Sequence, residues 1–247
     1  MLRAVSSPLS IAHVWRGEEL AQSSERTLPS GHAQLDACLP GAGWPLGSLI
    51  EILQAQPQQH AWQLLLPALA QASQASQGEA GPIVLVGPPF EPFGPSLQAQ
   101  GLSPARLLRV DADKSAARLW AAEQALRCAE VAAVVAWLPR SNANELRRLH
   151  MAAQQHGRLL FVFRTLHSRS DASPARLRLM IEGAQELQVR ILKRRGPPLL
   201  EAVSLPAQPP RLAALLRSRK SALARDAAVF PSSRSRSDVL DRTAAHA

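Results

Sequence analysis

Residues 28–53 read LPSGHAQLDACLPGAGWPLGSLIEIL, and this stretch decides which fold the chain adopts. It contains a leucine-aspartate helix turn, then a bend rich in glycine and proline, then a short apolar run. An apolar run of this length between turn residues predicts a buried strand over residues 49–53. Leucine and alanine over residues 61–76 predict a helix after that strand, kinked near Pro67. A buried strand followed by a helix is the unit from which parallel α/β sheets are built.

The stretch resembles the segment that leads into the phosphate-binding loop of RecA-type recombinases. In that family the strand continues into G-x-x-x-x-G-K-S/T, and the same register here falls on residues 54–61, QAQPQQHA. Glycines let backbone N–H groups surround a phosphate, the lysine neutralises it, and the hydroxyl binds Mg²⁺. The chain replaces the two glycines, the lysine and the hydroxyl residue with Gln54, Gln59, His60 and Ala61. We therefore expect a degenerate nucleotide site that holds no nucleotide, metal or other cofactor.

Two acidic positions of a RecA-type ATPase are replaced as well. The aspartate that supports Mg²⁺ ends a strand, and the apolar run 131–138 places Trp137 there. The glutamate that activates water follows the strand predicted within residues 81–89 and falls near Pro89, two residues before Glu91. An indole cannot bind magnesium, and a displaced carboxylate without a phosphate loop does not support ATP hydrolysis. We expect a catalytically inactive descendant of this fold, not an enzyme.

Strands and helices alternate through the rest of the chain. Apolar strands are predicted within residues 81–89, 106–110, 131–138 and 159–163, helices at 97–101 and 115–129, and antiparallel edge strands at 177–181 and 187–192. Asn142 and Glu145 have the spacing of a capping box, which predicts a helix that opens there and ends at Gly157. This order predicts an α/β protein with a RecA-like three-layer core and a mainly parallel, twisted sheet.

The chain divides into three parts by composition. Residues 1–25 are expected to form an N-terminal extension, residues 26–204 the RecA-like core domain, and residues 205–247 a basic C-terminal extension. In the last part, leucines spaced along one helical face predict a basic amphipathic helix. This helix either binds a partner or packs back on its own domain. Residues 231–247 contain few apolar side chains and are predicted to be disordered.

The net charge of +9 lies in the last third of the chain. Up to Gly157 there are 11 basic and 12 acidic residues, and from Arg158 onward there are 17 basic and 7 acidic residues. Such an asymmetry is typical of a region that meets an acidic partner, either a nucleic acid or an acidic protein surface. The candidate contacts to this partner are Arg194, Arg195, Arg217, Arg219, Lys220 and Arg225.

Other classes of protein are not indicated. No apolar run approaches the length of a membrane span and no signal-peptide core is visible, so we expect a cytosolic protein without a membrane partner. Cys38 and Cys128 each lie in an apolar stretch and are expected to be buried thiols. The histidines lack the spacing of metal ligands. Four tryptophans on apolar elements are expected to fill the core rather than stack on bases, namely Trp44, Trp62, Trp120 and Trp137.

Taken together, these segments resemble the ImuA family, the RecA-like accessory proteins of bacterial damage-induced mutagenesis. The resemblance covers roughly residues 26–204, and besides the opening stretch its most specific pieces are GLSPARLLRV (101–110) and CAEVAAVVAWLPR (128–140). It implies a non-catalytic scaffold in SOS translesion DNA synthesis, acting with an ImuB-like Y-family polymerase homologue and an error-prone DnaE-type polymerase. RecA, and DNA through the basic C-terminal region, are further candidate partners.

The two later pieces, together with QLLLPALAQ (63–71), also resemble the SulA family of cell-division inhibitors. This second resemblance implies an alternative function, inhibition of FtsZ-dependent cell division. SulA-type proteins lack the long N-terminal lead-in and end soon after the strand equivalent to residues 159–164, whereas this chain continues with basic strands. The difference favours the ImuA family. No site residue transfers from the RecA pattern, since the functional positions are the ones replaced.

Overall fold

A computed structural model describes residues 26–56, 61–74, 81–183 and 186–206. Within these ranges the chain forms a three-layer α/β unit, with helices on both faces of one central sheet. The α/β class and the mainly parallel sheet predicted from the sequence are confirmed. The predicted N-terminal extension, and the predicted basic helix and tail, lie outside the described residues.

The described part of the chain contains ten strands, five α-helices and three short 3-10 turns. The strands are β1 (Thr27–Leu28), β2 (Trp44–Pro45), β3 (Ser48–Gln54), β4 (Ile83–Val86), β5 (Leu107–Val110), β6 (Ala133–Trp137), β7 (Leu159–Thr165), β8 (Leu177–Glu182), β9 (Leu187–Lys193) and β10 (Val203–Leu205). The α-helices are α1 (Ala33–Asp36), α2 (Ala61–Ser73), α3 (Gly94–Ala99), α4 (Ser115–Arg127) and α5 (Ala143–His156). The 3-10 turns are Pro40–Ala42, Pro104–Arg106 and Leu166–Ser170.

The central sheet has the strand order β10-β9-β8-β3-β7-β6-β4-β5. The strands from β8 to β5 are parallel to their neighbours, and β9 is antiparallel to both β8 and β10. β3 lies inside the sheet, where Ile50 is in register with Phe161 of β7 and Leu177 of β8. β1 and β2 form a separate antiparallel pair in which Thr27 lies opposite Pro45.

Both faces of the sheet are buried, which explains why its strands are continuously apolar. Alternate residues of a strand point to opposite faces. Ile50 and Ile52 of β3 belong to the buried cluster that includes Leu64 of α2. Leu49 belongs to the opposite cluster, which includes Leu146 of α5. Each such side chain contributes about 1.5–3 kcal/mol when it leaves water completely.

The beginning and end of α5 follow the local sequence signals. The side-chain oxygen of Asn142 accepts hydrogen bonds from the backbone N–H groups of Asn144 and Glu145, each at 3.0 Å. The carboxylate of Glu145 accepts the N–H of Asn142 at 2.9 Å. The helix stops at Gly157, whose φ of +62° lies in the left-handed region that glycine adopts without strain. The predicted capping box and helix end are confirmed.

The prediction that residues 177–181 and 187–192 form edge strands is wrong. β8 and β9 do pair antiparallel, but β8 lies between β3 and β9, and β10 covers the other side of β9. The edges of the sheet are β5 and β10. Arg178 of β8 is only 8% exposed, because its charge is paired inside the protein with Glu51.

Two side chains expected in the core lie at the surface. Trp120 on α4 is 63% exposed, although Trp44 and Trp137 are buried as predicted. α4 buries Leu119, and the next residue of an α-helix points about 100° away, which turns Trp120 outward. Cys128, directly after α4, is exposed, and Cys38 is half-buried, so the expectation of two buried thiols is wrong. No helix in the described ranges is long and apolar enough to cross a bilayer.

Candidate functional site

The strand that would lead into a phosphate loop ends at Gln54. This side chain is only 5% exposed and lies beside Thr165 of β7 in the sheet register. Its amide oxygen has no hydrogen-bond partner among the described residues. Ala61 begins α2, whereas Gln59 and His60 lie outside the described part of the chain. The carboxyl end of β3 therefore carries a buried amide, and the rest of the degenerate loop stays a prediction.

An aromatic stack occupies the carboxyl end of β6. Trp137 ends this strand and is in register with Phe163 of β7. The two ring centroids are 5.0 Å apart and the ring planes differ by 12°, which is a stacked arrangement. Trp137 is 6% exposed, and its indole N–H has no hydrogen-bond partner in the part of the chain described. An apolar, closely packed pair of rings thus lies at the strand end where the sequence predicts the position of an ATPase's magnesium-binding carboxylate.

The second acidic position also lacks a carboxylate inside the protein. Pro89 and Glu91 follow β4, and both are exposed. The carboxylate of Glu91 is 4.0 Å from the guanidinium of Arg109 on β5, at the edge of the sheet. Among the residues with described positions, no three His, Cys, Asp or Glu side chains converge as metal ligands.

A buried ion cluster holds the middle of the sheet, on the side of α4 and α5. Glu51 of β3 is fully buried, and its carboxylate lies between two guanidinium groups. Arg164 of β7 donates from Nη1 to Oε1 at 3.0 Å, and Nε of Arg178 on β8 lies 2.9 Å from Oε2. Removing one member of such a pair leaves an unpaired buried charge, which costs about 3–5 kcal/mol.

The cluster continues into the segment that follows β7. Nη2 of Arg164 donates to the backbone oxygen of Ser141 at 2.6 Å and to the carboxylate of Asp171 at 3.0 Å. Nη2 of Arg178 donates to the backbone oxygen of Ser168 at 2.8 Å. Both oxygens of Glu51 face guanidinium groups, so this carboxylate is committed to ion pairs. The cluster holds three strands and the turn after β7 together. The one sequence signal for it was the charged residue inside each apolar strand.

A cleft of about 950 Å³ opens beside this cluster, between the start of α5 and the turn after β7. It is lined by residues that include Arg140, Ser141, Thr165, His167 and Asp171. The N-terminus of a helix attracts anions when its N–H groups are free. Here the capping box already satisfies them and places the carboxylate of Glu145 at the helix start. The cleft is therefore not a ready phosphate site.

Two of the predicted basic contacts meet at the other end of the sheet. Arg194 and Arg195 line a pocket of about 380 Å³ at the amino ends of β3 and β8. We call it the basic pocket; its lining residues are Pro40, Pro45, Pro174, Ala175, Arg176, Leu177, Lys193, Arg194 and Arg195. The sequence prediction did not include Arg176 and Lys193, which only the pairing of β8 with β9 brings to this place. The other predicted contacts, Arg217, Arg219, Lys220 and Arg225, lie outside the described residues.

The positive charge of the basic pocket affects the pKa of a histidine inside the protein. His150 of α5 accepts the backbone N–H of Leu49 at its Nδ1, at 3.1 Å. Burial lowers the pKa of His150 below its ordinary value of 6.5, and the charges of Arg176 and Lys193 lower it further. The imidazole is therefore held neutral, which the hydrogen bond to Nδ1 also requires.

Comparison with known proteins gives a partial match. No family model matches the chain. The chain is similar to Protein ImuA of Caulobacter vibrioides strain NA1000 / CB15N and of strain ATCC 19089 / CIP 103742 / CB 15. Each is 30% identical to it over 131 residues, which is 53% of this chain and 54% of the relative. The chain thus matches about half the length of these curated relatives.

Proposed function

We propose that the protein is a non-catalytic accessory factor of damage-induced, error-prone translesion DNA synthesis, built on a RecA-like core. The observation that carries the proposal is the 131-residue similarity to Protein ImuA. The mainly parallel three-layer sheet, with buried β3 followed by α2, is consistent with the RecA-like fold.

The chemistry at the carboxyl ends of the strands supports a role without catalysis. β3 ends in the buried amide of Gln54 and β6 in the stacked indole of Trp137. Phosphoryl transfer depends on a phosphate-binding loop, a bound metal and a positioned base or water. Neither an amide nor an indole replaces the acidic groups that hold that metal. We infer that the protein acts by binding partners through its surface.

The partners we propose are an ImuB-like Y-family polymerase homologue and an error-prone DnaE-type polymerase. RecA, and DNA bound by basic residues, are additional candidates. The basic pocket with Arg194 and Arg195 offers a positively charged surface for such contacts.

Deletion of the gene tests the pathway. We expect the deletion strain to lose most damage-induced point mutations after ultraviolet irradiation, and expression of the full chain to restore them. Deleting the ImuB-like gene as well should reduce the mutation frequency no further, because both proteins would act in one assembly. Unchanged mutagenesis in the single deletion would refute the proposed function. Filamentation on overexpression, with blocked FtsZ polymerisation, would assign the protein to the SulA-like alternative instead.

Titration with Mg²⁺ and ATP tests the absence of catalysis separately. We expect no heat of binding in calorimetry with the full chain and no release of phosphate, with or without single-stranded DNA. An active RecA protein in the same buffers serves as the positive control. Stoichiometric ATP binding would contradict the non-catalytic assignment and leave the pathway assignment to the genetic result.

A further inference from the structure

We propose that the basic pocket binds a short acidic peptide of a protein partner, which inserts one apolar side chain while its carboxylates meet the surrounding cations. This inference concerns the chemistry of a ligand and does not require that the protein act in translesion synthesis. It rests on three properties of the pocket: the charge of its rim, the apolar character of its walls, and its size.

The rim of the basic pocket carries positive charge, to which Lys193 and Arg194 contribute. Four of its nine lining residues are lysine or arginine, and within the described part of the chain no acidic residue lines it. The ammonium of Lys193 donates to the backbone oxygen of Ser173 at 3.0 Å. Arg194 donates from Nε to the backbone oxygen of Pro197 at 2.8 Å, and from Nη1 to the backbone oxygen of Cys38. Carbonyl groups position these two cations but do not neutralise them.

The walls of the basic pocket are apolar and stiff. Pro40, Pro45 and Pro174 come from three separate segments, and Leu177 and Ala175 complete the apolar lining. Proline has a fixed φ and no side-chain freedom to lose, so these walls change little when a ligand enters. Ala175 is fully buried and Leu177 is 2% exposed, so the half-buried Pro40 and Pro174 present more of the apolar surface that a ligand can contact.

The size and shape favour one inserted side chain. About 380 Å³ lies near the lower end of the range of about 300–1,000 Å³ for small-ligand pockets. A peptide that buries one leucine or phenylalanine there can reach the cations of Lys193 and Arg194 with neighbouring carboxylates. Arginine and carboxylate form charge-assisted and often bidentate hydrogen bonds. Apolar anchors surrounded by charged contacts are typical of peptide recognition.

A nucleic acid fits the basic pocket less well. Proteins that bind single strands combine a positive groove with aromatic side chains on which bases stack. The pocket is a local cavity, and none of its nine lining residues is aromatic. The chain's own C-terminal residues are an unfavourable occupant too, because residues 207–247 contain eight basic and three acidic residues. Charge complementarity therefore selects an acidic partner from outside this segment.

Fluorescence polarisation with the full chain tests the proposal. The probes are the labelled peptide DEDLFEDE, its neutral counterpart NQNLFQNQ, the anchor-free peptide DEDSSEDE, and a 15-nucleotide oligo-dT. We expect DEDLFEDE to bind at least tenfold more tightly than the neutral peptide and at least fivefold more tightly than the anchor-free one. Its affinity should fall as salt is raised, because the contacts are ionic.

Variants locate the binding to the basic pocket. Lys193→Gln should weaken DEDLFEDE at least fivefold, and Lys193→Gln with Arg194→Gln at least tenfold. Arg147→Gln is the matched control: Arg147 is exposed on α5, donates to Asn144 at 3.1 Å, and should change the affinity less than twofold. Lys193 is exposed, so its variant keeps the test valid if the Arg194 change perturbs folding.

Three results would overturn the proposal. Equal peptide affinity in wild type and the double variant would exclude the basic pocket as the site. Binding of oligo-dT that the double variant loses, with no peptide binding, would assign the pocket to nucleic acid. A tenfold gain in peptide affinity in a full chain carrying Glu18→Gln and Glu19→Gln would assign it to the chain's own N-terminal segment.

Discussion

The carboxylate of Glu51, fully buried on β3, accepts a hydrogen bond at 3.0 Å from Arg164, which lies 113 residues later in the chain on β7. This contact, with Arg178 on the other side, joins three adjacent strands across the middle of the sheet. A charge in such a place is tolerated because its partners are fixed by the same strands that bury it. The ion pairs form only when these three strands pair in the observed register, so the cluster stabilises that register against others.

We expect Glu51→Gln to lower the free energy of unfolding by about 3–5 kcal/mol, because the buried guanidinium of Arg178 loses its paired carboxylate and that of Arg164 keeps only the half-exposed Asp171. Urea denaturation followed by circular dichroism measures this change. Glu91→Gln is the matched control: its side chain is 85% exposed, so the change should stay under about 0.5 kcal/mol. Similar values for the two variants would show that the cluster does not stabilise the fold.

Trp137→Ala should cost about 3–5 kcal/mol of stability, because it opens a cavity beside Phe163 and removes the ring stack. Trp120→Ala removes the same side chain from an exposed position on α4 and should cost under about 1 kcal/mol. Thermal unfolding of the two variants provides the comparison. A cost for Trp137→Ala no larger than that of Trp120→Ala would mean that the carboxyl end of β6 is not closely packed.

Asn142→Ala should destabilise the protein by about 1 kcal/mol, within a range of about 0.5–2 kcal/mol, because α5 loses the acceptor for two N–H groups. Asn144→Ala lies in the first turn of the same helix and caps nothing, so its effect should be smaller. Chemical denaturation resolves the difference. If both variants behave alike, the capping box contributes no measurable stability.

Stability should fall as the pH drops below about 6.5, because His150 stays neutral in the folded protein and takes up a proton once unfolded. Its folded pKa is lowered, so the unfolded chain binds more protons between that pKa and 6.5, and stability rises with pH in this window. Urea midpoints from pH 5 to 8 measure the slope. His150→Gln should reduce it.

His32 should add to the slope in the same direction, because its pKa is lowered too. Burial lowers its pKa as well, and its Nε2 lies 3.2 Å from the backbone oxygen of Gln63. A second variant, His32→Gln, separates the two contributions. A stability that is flat between pH 5 and 7 in the wild type would contradict the neutral state inferred for both histidines.

Much of the fold could be predicted from the amino-acid sequence, because the sequence signals for its elements are local. The buried strand at Leu49, the alternation of strands with helices, and the capping box at Asn142 each depend on residues a few positions apart. The predictions were wrong where the surroundings of a residue are formed by strands that are distant in the sequence. β8 was predicted as an edge strand, yet it lies inside the sheet, where Arg178 pairs with Glu51.

The candidate sites divide in the same way. The prediction that Trp137 stands at the acidic position of an ATPase comes from the chain itself, because chemistry depends on the identity of the side chain. The basic pocket is not visible there, since Pro40, Pro45, Ala175 and Lys193 lie far apart in sequence. Side-chain identity and short-range periodicity by themselves determined the α/β class, and they carry the prediction that the groups of an ATPase are missing. Only the pairing of strands distant in the chain decided which charges are buried together and which surround a pocket, because a charge's energy depends on its neighbours in space.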